Sequence, residues 1–214
     1  RAVESLRRIY RKTWEEISPE DFNTAIINHH RRLAAWIEPF YPESFRQAMR
    51  QQSHISQVTN REYSADMQLS VFNINTAELP EPILDIGCGA HGHLVRMLSH
   101  AGKQITGIDR EIITVSEHLI QTDWFGFDFG CSEWGSIIAH MSLSNHLVYV
   151  LAHEKDRLAD YLMLFNTVLN ALKPGGLFLY APSLPFIEER LSAFKITRRE
   201  IAHSISATML ERLS

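Results

Sequence analysis

"ILDIGCGAHG", residues 83–92, sets Gly87, Gly89 and Gly92 at the spacing G-x-G-x-x-G. An apolar run leads into these glycines and an amphipathic stretch, "GHLVRMLSHAG" (92–102), follows them, so the pattern predicts a strand, a tight loop and a helix. A loop of this kind lets backbone N–H groups and a helix N-terminus come close to a ligand. The nucleotide-binding form of the motif also needs an acid about 20 positions on, at the end of the next strand, to hold ribose hydroxyls. Asp109 stands 20 residues after Gly89. The glycines and Asp109 together point to an adenosine-bearing ligand without saying which.

Asp85 discriminates between the candidates. It closes the first strand immediately before the glycine loop. A carboxylate there repels a pyrophosphate in a poorly screened cleft and favours a cation. S-adenosylmethionine carries an ammonium and a sulfonium, has no phosphate, and still needs its ribose and adenine held. A nicotinamide dinucleotide, and with it an NAD(P)-dependent oxidoreductase, accounts for the glycines and Asp109 but leaves Asp85 badly placed. A non-catalytic cofactor-binding module that regulates or scaffolds a partner is the third alternative.

From residue 79 to 214 short apolar runs alternate with amphipathic stretches, which predicts β-α units on a parallel sheet. Strands are expected at 82–87, 104–109, 119–123, 135–140 and 176–182, with helices at 92–102 and 155–172. The second helix ends at Lys173-Pro174-Gly175-Gly176, a terminator that turns the chain into a strand. Only "REIITVSEH" separates Asp109 from Leu119, so that crossover is abbreviated or irregular. A short helix at "LPFIEERLSA" precedes "FKITRREI" and "SATMLERL", which pair as a closing hairpin. Residues 1–78 read as helical, with starts at Ser18-Pro19-Glu20-Asp21 and Tyr41-Pro42-Glu43-Ser44, and a last helix within "REYSADMQLSVFNINTA". They form an N-terminal helical cap on the substrate side, and residues 79–214 form the cofactor-binding domain.

These segments resemble the class I S-adenosylmethionine-dependent methyltransferases. "LDIGCG" (84–89) is similar to the family's first motif, "GIDR" (107–110) to its second and "QTDW" (121–124) to its third. "WGSIIAHMSLSNHL" resembles the fourth strand and the loop after it, and "LKPGGLFLYAP" (172–182) the helix-turn-strand before the last parallel strand. The resemblance spans residues 80–182 and implies a Rossmann-like α/β fold, a mostly parallel seven-stranded sheet flanked by helices. It implies cofactor contacts from Asp85, Gly87, Cys88, Gly89, Asp109, Arg110, Asp123, Trp124 and His140. In these roles Asp109 takes the ribose, Asp123 the adenine amino group and an adjacent apolar side chain the ring face. The implied reaction turns S-adenosylmethionine into S-adenosylhomocysteine.

In this family the acceptor sits over the end of strand four, which brings "HMSLSNH" (140–146) to the reaction. His140, Asn145 and His146 are the catalytic candidates, with Ser142 and Ser144 as weaker polar contacts. A general base is needed only when the acceptor must lose a proton. Gln57, Arg61, Tyr63 and His146 are candidates for binding the acceptor, whose reacting atom (O, N or C) stays open. No N/D-P-P-Y/F follows strand four and Cys131 lacks a preceding proline, which argues against methylation of DNA bases. Neither His29, His30 nor His54 has metal-ligand spacing, so no metal is expected.

Composition narrows the partners. The 214 residues suffice for one sizeable core and a small subdomain, and a net charge of -4 gives no global drive toward nucleic acid. No apolar run reaches the ~18 to 20 residues of a membrane span. Two cysteines, Cys88 and Cys131, suit a reducing cytosol, so a cytoplasmic enzyme with a small-molecule acceptor is expected. The chain opens on Arg1 with neither methionine nor signal region, so a trimmed chain is expected. Sheet edges and helical caps both serve as interfaces, which leaves the oligomeric state open.

Overall fold

The computed structural model describes residues 64–202 and 205–213, together with Asn28 and Arg32. By its contacts the chain divides into Arg1–Asn60 and Arg61–Ser214, and the sheet with its helices lies in the second unit. Its elements run α1 (Ala65–Phe72), β1 (Ile83–Ile86), α2 (His93–His100), β2 (Ile105–Asp109), β3 (Leu119–Gln121) and β4 (Trp134–His140). They continue with α3 (Leu143–His153), α4 (Leu158–Ala171), β5 (Leu172–Ala181), α5 (Pro185–Glu188), β6 (Phe194–Ala202) and β7 (Ile205–Arg212). Helix α1 thus belongs by contacts to the same unit as the sheet, whereas the sequence pattern groups it with the residues before it.

The seven strands form one sheet in the order β3-β2-β1-β4-β5-β7-β6. The first five run parallel, and β7 is antiparallel to both β5 and β6. The expected Rossmann-like α/β sheet with an antiparallel closing hairpin is therefore present. Both faces are covered. On one, Leu94, Val95 and Leu98 of α2 pack with Ile83, Ile105 and Ile138, and Leu69 and Phe72 of α1 join them. On the other, Leu143 and Leu147 of α3 and Phe165 and Val168 of α4 pack with Leu84, Ile86, Ile137 and Ala139. Strand side chains alternate between faces. Asp85 therefore shares the α1–α2 face with Ile83, and His140 shares it with Ile138.

As the short spacing predicts, the crossover between β2 and β3 is irregular: no helix forms there, and Ser116 makes only an isolated bridge to Leu119. Two local outcomes differ from the sequence pattern. The segment after β4 is not a loop through residue 146: α3 starts at Leu143, leaving Met141 and Ser142 as the connection. Burial of Leu143, Leu147 and Val150 along one helical stripe drives that early start. Met141 takes a left-handed φ of 51° to make the turn, and its N–H donates to Ala181 O at 2.8 Å. Strand β5 begins at Leu172, which pairs with Trp134 before the chain bulges over Lys173–Gly176 and resumes pairing at Leu177. No described helix is long and apolar enough to cross a membrane.

Beyond β5 the chain is held by a buried carboxylate. Glu188 is fully buried, and its Oε1 accepts bonds from Tyr180 Oη (2.7 Å), Leu184 N (2.7 Å) and Thr208 Oγ1 (2.8 Å). Its Oε2 accepts from Arg198 Nε. Burial pushes this carboxyl up, but the four donors outweigh it and hold it below the ordinary range. Replacing Tyr180 by Phe removes one donor of four and is expected to cost about 1 kcal/mol. Glu188→Ala strands the hydroxyls of Tyr180 and Thr208 and is expected to cost roughly 3 kcal/mol or more. Urea unfolding of both variants checks this, and equal midpoints would refute it.

Candidate functional site

The glycine loop leaves β1 under close constraint. Gly87 has φ +74° and Gly89 has φ +80°, both in the left-handed region that favours glycine. A Cβ on Gly87 would lie 2.5 Å from Ser142 Cβ and 3.2 Å from the Trp124 ring. Ser142, buried, donates its hydroxyl to Ile86 O at 2.6 Å and so ties the exit of β4 to the exit of β1. Gly87 N and Cys88 N both donate to Ile108 O, at 2.8 and 3.3 Å. Gly89 N donates to Asp109 Oδ2 at 3.0 Å. The N–H groups of residues 87–89 are therefore already engaged by β2, rather than left for phosphate oxygens.

Asp109 closes β2 and accepts two backbone bonds, from Gly89 N and, at its Oδ1, from Glu111 N at 2.8 Å. Each oxygen retains a second lone pair. Asp85 differs sharply. It is only 1% exposed, and its Oδ2 has no hydrogen-bond partner among the described residues. Burial first, and the charge of Asp109 second, push its carboxyl up to about 7. A buried, unpaired acceptor beside a second carboxylate fits a cationic group and opposes a pyrophosphate.

The other sequence candidates fall around this centre. Cys88 turns its side chain inward: its Sγ lies 2.9 Å from where a Gly107 Cβ would be, so only its backbone lines the loop. Arg110 is exposed, and its carbonyl accepts from Gln121 Nε2 at 3.1 Å. Asp123 is exposed and uses Oδ1 to cap a single 3-10 turn, Trp124–Gly126, through Phe125 N at 2.9 Å. Trp124 is half-buried, with its ring beside Gly87 and 5.0 Å edge-on from His146.

His140, Asn145 and His146 have different surroundings. His140 is buried at the end of β4, edge-on to Phe72 of α1 at 6.0 Å between ring centres. Burial pushes its imidazole down to about 4, so it is neutral at physiological pH. Asn145 stands exposed on the first turn of α3. His146, one residue on, faces Trp124 and stacks toward Tyr161 of α4 at 6.4 Å. Partial burial lowers its pKa, helped by Arg110 and Arg157 and opposed by Asp109 and Glu154. His146 thus lies within electrostatic reach of the end of β2, and Phe125, Tyr161 and Arg157 extend its aromatic surroundings. Nothing in the sequence spacing marks Arg157 or Tyr161, since only the packing of α4 beside α3 brings Tyr161 to Phe125 and His146 and Arg157 with it. Gln57, Arg61 and Tyr63 lie outside the described residues, as do His29, His30 and His54. Among the described residues no three His, Cys, Asp or Glu side chains gather as metal ligands.

No protein-family model and no curated protein matches the chain. Among solved structures the chain is similar to the PH0226 protein of Pyrococcus horikoshii, at 15% identity and a TM-score of 0.46 over 78% of this chain and 99% of that one. It is similar to the Burkholderia thailandensis 1,6-didemethyltoxoflavin-N1-methyltransferase, solved with S-adenosylhomocysteine, at 13% identity and 0.43 over 70% and 76%. A third is the 16S rRNA (adenine(1408)-N(1))-methyltransferase of Catenulisporales acidiphilia, solved with its cosubstrate, at 12% identity and 0.42 over 71% and 91%. Scores and identities this low leave the functional argument to the geometry of the site.

The depressed imidazole of His140 yields a pH prediction. Below the ordinary histidine range near 6.5 the unfolded chain takes up a proton that the folded chain refuses down to about 4. The contribution of His140 to stability is therefore expected to fall as pH drops from 6.5 toward 4, opposed in the same window by the raised carboxyl of Asp85, so that the wild-type chain loses stability relative to His140→Phe across that range. Thermal melts of both proteins across the window check it, with superimposable slopes as the contrary result.

Proposed function

We propose that the cleft at the ends of β1 and β2 binds S-adenosylmethionine, and that the protein transfers its methyl group to a small-molecule acceptor. The observation that carries this reading is the buried, unpartnered Oδ2 of Asp85 beside Asp109. A dinucleotide would bring its pyrophosphate against both carboxylates, whereas an ammonium would give Asp85 the partner it lacks. Engagement of the N–H groups of residues 87–89 by Ile108 and Asp109 supports the same choice.

In this reading Asp85 takes the methionyl ammonium and Asp109 takes the ribose diol with its remaining lone pairs. Gly87, Cys88 and Gly89 line the cleft through their backbone. The free oxygen of Asp123 takes the adenine amino group and Trp124 covers the ring. Arg110 flanks the ribose side, and His140, neutral and buried, borders the methionyl end. S-adenosylmethionine supplies an electrophilic methyl on its sulfonium, so alignment of the acceptor accounts for much of the rate. His146, with its lowered pKa and its place beside Trp124, accepts the acceptor's proton where one must leave, and Asn145 orients the acceptor. The aromatic surroundings, half-buried Trp124, exposed Phe125 and buried Tyr161, together with the net charge of -4, favour a small molecule over nucleic acid. Both cysteines are free thiols, which supports a reducing compartment such as the cytosol.

Calorimetric titration with S-adenosylhomocysteine, NAD and NADP tests the cofactor class. Micromolar binding of S-adenosylhomocysteine alone is expected, and binding of a dinucleotide instead would overturn the reading. Asp109→Ala should weaken that binding by about 1.5 to 3 kcal/mol, roughly ten- to a hundredfold. Unchanged affinity in a folded variant would remove Asp109 from the ribose. Once an acceptor is found, His146→Ala is expected to lower kcat by about a hundredfold while leaving S-adenosylhomocysteine affinity nearly intact. Parallel losses in both would make it a binding residue.

A further inference from the structure

Asp85 poses a problem that its place in the motif does not resolve. Its carboxyl is enclosed between β2 and β4, paired in register with Gly107 and Ile138. Among the described residues one of its oxygens has no donor at all. Among the described residues the groups that face it bring no compensating charge. From β2 comes Asp109, of the same sign, and from β4 comes His140, buried and neutral. The helices on that face, α1 and α2, carry Asp66, His93, Arg96 and His100 at the surface or exposed to solvent. A bare carboxylate in such a place is costly, because it loses its water and gains no partner.

We infer that Asp85 holds a proton while the cleft is empty and releases it when a cationic ligand enters, so that ligand binding is coupled to proton release. This rests on the proposed cofactor reading and adds to it a direction of pH control. The proton satisfies the enclosed oxygen in the empty protein. An arriving ammonium replaces it, since a close opposite charge favours the ionised form. The proton leaves to solvent, and one positive charge is exchanged for another, so below about pH 7 the enclosed carboxyl carries no uncompensated negative charge in either state. The carboxyl's position near 7 in the empty protein sets the window. Above about pH 8 the group is already ionised and binding is independent of pH. Below about pH 7 binding must first strip the proton, so affinity falls by up to tenfold for each unit of further acidification.

Two measurements on the full chain test this. The first needs no ligand: a carbon-detected NMR titration of the Asp85 carboxyl, assigned by its loss in Asp85→Asn. A midpoint well above the ordinary aspartate range near 3.9 is expected. A midpoint in that range would overturn the inference without touching the cofactor reading. The second is calorimetric titration with S-adenosylhomocysteine at pH 6 in buffers of different ionisation enthalpy. Release close to one proton per ligand is expected at pH 6 and close to none at pH 8. Asp85→Asn should bind more weakly, with no buffer dependence at either pH. Binding of S-adenosylhomocysteine without proton release would sink the coupling and leave the cofactor reading standing. Failure of S-adenosylhomocysteine to bind would sink the cofactor reading and the coupling with it.

Discussion

The short path out of β1 constrains everything around it. Within six residues, 87–92, the chain must leave a parallel strand, pass the end of β2 and start α2, and it is fixed along the way by bonds and close contacts. Gly87 and Cys88 hang from one carbonyl, Ile108 O, and Gly89 hangs from the Asp109 carboxylate. Ser142 closes the other side by bonding Ile86 O while its Cβ occupies the space that a side chain on residue 87 would need. Three adjacent strand ends, those of β2, β1 and β4, are locked together by main-chain atoms, one carboxylate and one serine. Their side chains can then present charge and aromatic surface at fixed positions, which is what a ligand site on a parallel sheet requires.

Asp109 serves this lock as well as the ribose contact proposed for it. Two backbone bonds set its orientation, so its remaining lone pairs point in directions already chosen. Preorganisation of this kind lowers the ordering cost of binding. His146 and Trp124 show the same economy by packing. The edge of one ring meets the other, and Tyr161 of α4 backs the imidazole. A short turn after β3 and two helices after β4 thereby meet beside Gly87.

Much of the sheet was legible in the sequence because buried parallel strands are short apolar runs, and ILDI, ITGID and GSIIAH have few other readings. The glycines and Asp109 were legible for a related reason, since left-handed turns demand glycine and a strand-end acid leaves a fixed spacing. Helix α3 was not legible from its start. "MSLSNH" is polar and looks like a loop, and Ser142, its N-cap residue, gives no capping bond because its hydroxyl is committed to Ile86 O. The stripe of Leu143, Leu147 and Val150 becomes decisive only when a sheet face is there to receive it. The aromatic surroundings of His146 were hidden likewise: Trp124 and Tyr161 are 37 positions apart in the chain, and no local pattern links them.

Two enclosed carboxylates in one domain, Glu188 and Asp85, differ in the groups that surround them. Glu188 receives a backbone N–H, two hydroxyls and a guanidinium, and those four donors keep it ionised despite its burial. Both of its oxygens are engaged by donors of the chain, and it holds the chain after β5 against β6 and β7. Asp85 is enclosed almost as deeply and, among the described residues, has an oxygen with no donor and faces a like charge instead of a cation. For the fold alone a leucine or valine at residue 85 would serve better, as it does for buried ion pairs replaced by packed apolar side chains. Keeping a carboxyl there is a cost to the empty protein, which a proton on the enclosed oxygen lessens and a ligand that brought its own positive charge would offset. The difference between the two acids lies in their partners and not in their burial.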